Sequence, residues 1–258
     1  MERRQLIDDR PILEARGIVK RFGGLAAVDG VDLTIRRGEI LGVLGPNGAG
    51  KTTFVNCMTG LDQVSRGTIL FKGTNITRMR NYRIARLGMA RTFQVVKPLH
   101  QLTVQENVAV GAMFGRGGPG RSAREARKAA EAVLVRVGLA GKRHRAATEL
   151  TTADLKRLEL AKALAMEPEL LFLDEVMAGL NPREGEEVVG LIRRLREFGI
   201  SSVGGVEHIM RIVMSLASRV VVLDQGKKIA EGPPAEVVHD PKVVEAYLGS
   251  KFMAGAKQ

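Results

Sequence analysis

Apolar and polar positions alternate through residues 12–39: Val31, Leu33 and Ile35 fall on one side, Asp32 and Thr34 on the other. A period of two with one polar face predicts antiparallel strands half exposed to water. Residues 68–71 fit the same sheet. At residues 40–44 (ILGVL) the alternation gives way to a wholly apolar run, which predicts a strand buried on both faces. A helix-compatible stretch follows over residues 52–61. Residues 82–137 read as largely helical, interrupted by GRGGPG at residues 115–120, a composition that predicts a loop. Three more short apolar runs, at residues 170–173, 201–206 and 220–223, predict buried parallel strands. Helical stretches at residues 155–166 and 184–198 lie between them. Strands alternating with helices imply right-handed βαβ units and an α/β fold. Asp224, Gln225 and Gly226 read as a tight turn into a small terminal hairpin, and no internal repeat is evident.

The turn that joins the buried strand at residues 40–44 to its helix carries the strongest chemical signal. Gly45, Pro46, Asn47, Gly48, Ala49, Gly50, Lys51, Thr52 and Thr53 match the pattern G-x-x-x-x-G-K-[ST] in the strand–loop–helix setting it requires. The glycines let backbone N–H groups turn inward around phosphate oxygens. The positive end of the following helix adds to the attraction. Lys51 is expected to reach the β- and γ-phosphates, and the Thr52 hydroxyl to ligate Mg²⁺. The loop predicts a nucleoside triphosphate as ligand.

The run at residues 170–173 ends in Asp174 and Glu175, 123 residues beyond Lys51. In open α/β sheets, ligands collect beyond the C-terminal ends of the strands. Asp174 suits the holding of Mg²⁺, directly or through water. Glu175 suits a general base that polarises the water attacking the γ-phosphate. His208 follows the run at residues 201–206 and is expected in the same crevice, hydrogen-bonding the γ-phosphate or orienting water.

Composition narrows the partners. Apolar residues make up 45% of the 258, enough for a full core, but aromatics are only 4% and Trp is absent. The aromatic platforms that stack single-stranded nucleic acid are therefore scarce. One cysteine, Cys57, excludes an internal disulfide and reads as a small buried apolar side chain. No run of 18 uncharged apolar residues occurs and the opening MERR is polar, so the chain is expected neither to span a membrane nor to be secreted. Residues 115–145 hold nine Arg or Lys against Glu125 and Glu131, a net +7 of the chain's +12. Such a basic segment suits nucleic acid, an anionic membrane surface or an acidic partner, and equally a solvated helix face.

These residues resemble the ATP-binding subunits of ABC transporters over nearly the whole chain. Residues 20–24 (KRFGG) resemble the segment whose aromatic stacks on adenine, which implies that role for Phe22. Residues 91–94 (RTFQ) are similar to the Q-loop, which implies that Gln94 contacts Mg²⁺ and senses the transmembrane partner. Residues 178–181 (AGLN) occupy the D-loop position, and His208 matches the switch histidine. Residues 84–94 (IARLGMARTFQ), 102–108 (LTVQENV) and 245–249 (EAYLG) look most like the branched-chain amino-acid importer subgroup. The resemblance implies a P-loop NTPase fold, an ABC-type nucleotide-binding domain with an antiparallel β subdomain and a helical subdomain. One domain over residues 1–258 is expected, with the β subdomain and P-loop at 12–80 and a mainly helical part at 81–150. Residues 151–258 would complete the catalytic core and add the C-terminal hairpin and helix. The implied activity is hydrolysis of ATP with Mg²⁺ at a dimer interface, coupled to uptake of branched-chain amino acids or a related small polar solute. The implied partners are membrane permease subunits, a second ATPase subunit of the same or a related chain and, indirectly, a solute-binding protein. No nucleic acid is expected. The implied place is cytoplasmic, peripheral on the inner face of the cell membrane, with the basic segment near the permease and the anionic leaflet.

The pattern breaks at the family's Leu-Ser-Gly-Gly-Gln signature, where this chain has residues 150–154, LTTAD. The resemblance implies that Thr151 and Ala153 face the partner's nucleotide in trans, with the Thr151 hydroxyl as one surviving γ-phosphate donor. Ala153 puts a β-carbon where glycine would let backbone approach. Asp154 sets a negative charge near an anionic ligand, an unfavourable placement. Thr151 and Asp154 also read as a capping box with Asp in place of Glu or Gln. Val176 stands where the family commonly has Pro. Three other readings share these motifs: an exporter ATPase for lipid or polysaccharide, a soluble ABC-type factor acting on ribosomes or DNA, and a regulatory nucleotide-binding subunit that hydrolyses weakly because of the altered signature. The single P-loop, and the mere 123 residues from Lys51 to Asp174, which leave no room for a long coiled coil, weigh against the second.

Overall fold

The computed structural model describes residues 8–93, 98–174, 176–197, 199–205 and 210–248. The chain divides into two compact units, one of Met1–Met79 with Ser201–Gln258 and one of Arg80–Ile200.

The first unit begins with β1 (Asp8–Phe22), β2 (Leu25–Arg37), β3 (Ile40–Leu44), α1 (Lys51–Met58), β4 (Arg66–Phe71) and β5 (Thr74–Asn75). Strands β2, β1, β4 and β5 form, in that order, an antiparallel sheet. The expected alternation is realised on β2, where Val31, Leu33 and Ile35 are buried while Asp32 and Thr34 are exposed. Where β1 slips register against β2, the Gly17 N–H donates to Asp32 Oδ1 at 2.6 Å. A polar residue on the open face thus satisfies the amide that the irregular pairing would orphan. All five residues of β3 are buried.

The second unit holds α2 (Asn81–Leu87), β6 (Met89–Arg91), α3 (Val104–Phe114), α4 (Ala123–Arg136), α5 (Thr152–Ala165), β7 (Leu170–Asp174) and α6 (Pro182–Glu197). Capping boxes start two of its helices, Thr103 with Glu106 at α3 and Ser122 with Glu125 at α4. Asn107 is fully buried; its amide donates to the carbonyls of Leu99, Leu102 and Thr103 and accepts from the Leu99 N–H. The LTVQENV stretch is therefore a helix-starting device. Residues 115–120 form the expected loop. Its glycines also permit close approach, since a Cβ at Gly115 would lie 2.2 Å from Met166 Cα and one at Gly118 would lie 2.1 Å from the Met113 carbonyl. The expectation of a largely helical stretch from about residue 82 to 137, broken by that loop, needs a correction at β6. β6 interrupts it, pairing in parallel with β7 through Met89–Leu170, Ala90–Leu171 and Arg91–Phe172. Three residues carry no readable period, and the partner strand imposes the extended conformation.

The chain then returns to the first unit with β8 (Ser201–Gly205), α7 (Met210–Leu216), β9 (Arg219–Asp224), β10 (Lys227–Gly232), α8 (Pro234–Val237) and α9 (Pro241–Leu248). Strands β8, β3 and β9 run parallel with β3 in the middle, and β10 closes antiparallel on β9. Gln225 and Gly226 both take positive φ (45° and 78°) at the hairpin turn, as a tight two-residue connection requires. Arg219 on β9 grips the buried Glu39 carboxylate with two nitrogens at 2.8 and 3.0 Å and also pairs with Glu231. Leu44, Val213, Val220, Val222, Val237 and Val243 form one apolar cluster behind β3 and β9. Cys57 is buried in α1, and burial pushes its thiol up to about 11. Among the described residues no helix is long and apolar enough to cross a membrane.

Gly42 shows how tightly α7 lies on β3: a Cβ there would stand 2.5 Å from Val213 and 2.8 Å from Val220. Gly42→Ala is expected to destabilise the protein by about 1–3 kcal/mol through overpacking, read as a lower denaturant midpoint at unchanged slope.

Candidate functional site

In the first unit, β3 delivers its chain directly into the glycine-rich loop. Gly45, Gly48 and Gly50 have φ of 147°, 78° and 94°, conformations that side chains resist. At two of them space is also closed: a Cβ at Gly45 would lie 2.1 Å from the Leu223 carbonyl oxygen, and one at Gly50 would lie 2.2 Å from that of Ala27. Asn47 and Gly48, at the crown, are exposed, as is Thr52; Ala49 is buried, and Pro46 and Thr53 are half-buried. Gly50 caps α1, and no acidic residue in that helix's first turn offsets its positive end. Lys51 is buried, its ammonium donating to the carbonyls of Gly45 at 2.6 Å and Pro46 at 2.7 Å. A charged, conformationally rich side chain is thus held across the loop by its own backbone. The Gly45 N–H donates to the hydroxyl of Tyr247, on α9, at 2.8 Å. At the tip of the β1–β2 hairpin Phe22 is 49% exposed, with Lys20 Nζ 4.7 Å above its ring.

In the second unit, Asp174 closes β7 and is buried. Its backbone N–H donates to Thr92 Oγ1 at 3.0 Å, and Arg91 Nη2 donates to its Oδ2 at 2.9 Å. The Arg91 guanidinium also lies 4.9 Å over the Phe93 ring. Sequence reasoning gave weight to Gln94 in this stretch and missed Arg91, the residue that meets the carboxylate. The pairing follows from β6 and β7 ending side by side, and only the strand that was not expected reveals it. Gln94, Glu175 and His208 lie outside the described residues. Among the described residues, no cluster of three or more His, Cys, Asp or Glu side chains could form a metal cage.

The LTTAD stretch supports the capping reading. Thr151 caps α5, its hydroxyl oxygen accepting from the Asp154 N–H and its proton going to Asp154 Oδ2 at 3.0 Å. Asp154 is buried and ion-paired with Lys142. Burial acts to raise its carboxyl, but hydrogen bonds from Lys142 and Thr151 prevail and hold it below the usual range. The charge of Asp154 is therefore compensated within the unit. Ala153 is buried beside it. Asn181 caps α6, exchanging hydrogen bonds with Glu184 at 3.0 Å each way. The basic segment is likewise tied down in part. Arg116, Arg121, Arg127 and Lys142 pair with Glu169, Glu167, Glu106 and Asp154, while Arg124 and Lys128 stay exposed on α4.

Comparison with known proteins adds independent findings. A family profile described as "ABC transporter" matches residues 28–178, and one described as "Branched-chain amino acid ATP-binding cassette transporter" matches residues 227–252. The high-affinity branched-chain amino acid transport ATP-binding protein LivG of Salmonella typhimurium is 39% identical over 251 residues, covering 93% of this chain and 98% of its own. BraF of Pseudomonas aeruginosa, described in the same words, matches to the same extent. Among solved structures, the ADP conformation of an ATP-binding cassette of an ABC transporter superposes with a TM-score of 0.83 at 31% identity. That match spans 93% of this chain and all of the other.

Asp154 makes a pH-dependent contribution whose sign is fixed. A carboxyl held below its ordinary value of 3.8 stabilises the fold above that value, and the effect is lost as pH falls through the lower folded one. Thermal midpoints of wild type and Asp154→Asn between about pH 3 and pH 7 should diverge most at neutral pH. They should converge at the acid end, with the variant showing the flatter acid limb.

Proposed function

This chain belongs to the ABC transporter family, and on that footing we propose that it is the ATP-hydrolysing subunit of an importer for branched-chain amino acids or a related small polar solute. The observation that carries the proposal is the loop of residues 45–53: three glycines in left-handed backbone, an uncountered helix end and a lysine held across the cradle. The names of the relatives support amino-acid transport over lipid or polysaccharide export. The proposed partners are permease subunits, a second ATPase subunit and, indirectly, a solute-binding protein. The proposed place is the cytoplasmic face of the cell membrane.

In the first unit, the loop amides receive the phosphates, and the Lys51 ammonium exchanges the Gly45 and Pro46 carbonyls for phosphate oxygens. Phe22, exposed at its hairpin tip, offers a face for adenine. The donors proposed for Mg²⁺ are hard oxygens of the kind this ion takes: the Thr52 hydroxyl, the Asp174 carboxylate and the Gln94 amide. When bound, the ion neutralises charge developing on the phosphates. Arg91 balances the Asp174 carboxylate and fixes its direction. Glu175 accepts a proton from water as the water oxygen bonds to the γ-phosphorus and the bond to the β-phosphate oxygen breaks, giving ADP and phosphate. His208 orients the γ-phosphate or that water.

A second reading, a regulatory subunit with weak hydrolysis, is favoured by one observation. The Thr151 hydroxyl proton is already given to Asp154, so Thr151 and Ala153 offer the partner's nucleotide less than the Ser-Gly-Gly-Gln pattern does. One assay separates the two: ATP turnover by the full chain, alone and with a related ATPase subunit, against Glu175→Gln. Turnover that falls about 100-fold or more in Glu175→Gln supports the motor. ATP binding without Glu175-dependent turnover in either setting supports the regulatory reading.

A further inference from the structure

The C-terminal helix reaches the phosphate loop. Val243 of α9 is buried in the apolar cluster that contains Leu44, the last residue of β3. Tyr247 lies four residues on, hence on the same helix face, and its hydroxyl accepts the N–H of Gly45, the next residue after Leu44. One face of one helix therefore holds two consecutive residues at the root of the loop, one by burial and one by a hydrogen bond.

Gly45 is an unusual place to anchor. It lies just past the end of β3, whose ladder pairs run only to Leu44. The following residue is Pro46, which has no N–H. The Gly45 amide is thus the single backbone donor in the first two residues of the loop, and its acceptor comes from 202 residues away. The Gly45 carbonyl receives the Lys51 ammonium, and its α-carbon lies against the Leu223 carbonyl with no room for a methyl. Tyr247 also belongs to the stretch matched by the branched-chain profile, whereas the general family profile ends at residue 178.

We propose that Tyr247 is a positioning residue for the phosphate loop, holding the Gly45 amide so that nucleotide binding and docking of the C-terminal helix are thermodynamically linked. This rests on the ATP-binding function proposed above. The hydroxyl pre-forms the start of the loop, so its loss weakens nucleotide binding without touching a group that reacts. Linkage is reciprocal, so nucleotide in the loop must also hold α9 more firmly.

The test uses the full chain, titrated with a fluorescent ATP analogue and assayed for turnover, as wild type and Tyr247→Phe. Phenylalanine keeps the ring and deletes the acceptor. The variant should bind the analogue about fivefold more weakly, the size of one lost hydrogen bond, and its KM for ATP should rise equally at nearly unchanged kcat. Equal affinity in the two proteins overturns the proposal. If the variant folds poorly, amide exchange in the wild type decides: saturating ATP slows exchange over residues 241–248 if the linkage holds, and unchanged exchange there overturns it. A wild type that binds no nucleotide at all instead refutes the underlying function, so the two failures are distinct.

Discussion

At Gly45 and Gly50 the phosphate loop presses its backbone against two carbonyls, those of Leu223 and Ala27, with no space for a β-carbon at either point. The rest of the first unit is arranged around that constraint. Ala27 belongs to the antiparallel sheet and Leu223 to the parallel one, so the loop takes its shape where the two sheets present backbone oxygens. The glycines accept left-handed φ there at no steric cost. Their neighbours then fall into place: Lys51 folds over the carbonyls of Gly45 and Pro46, and α1 starts with its amides directed into the loop. An anion cradle of this kind draws its rigidity from the sheets around it.

Much of this was legible in the chain because the signals are local. The glycine and lysine spacing of residues 45–53, the period-two alternation of β2 and the apolar runs of β7 and β9 each lie within a dozen residues. What was not legible joins distant positions. β6 is three residues long and is extended only because β7 pairs with it. Arg91 meets Asp174 across 83 residues, Tyr247 meets Gly45 across 202, and Lys142 reaches Asp154 from a separate turn. No periodicity encodes such pairs. Once the fold brings them together, elementary electrostatics explains each, because a buried carboxylate or amide without a partner is expensive.

The charged residues follow the same logic. A run of basic residues invites the reading of an external partner, yet Arg116, Arg121, Arg127 and Lys142 are matched with carboxylates inside the unit. Lys142 in particular cancels the charge of Asp154, the residue that most disturbs the signature. The substitution of Asp there thus comes with its counter-ion. Thr151, by capping α5 and donating to Asp154, gives the altered signature a local structural role.

Residues 45–53 are proposed to hold the phosphates of ATP. Amide hydrogen exchange of the full chain, with and without saturating ATP, tests it directly without altering any residue. Marked slowing across residues 45–53 is expected when ATP is present. Exchange there that ATP leaves unchanged would contradict it.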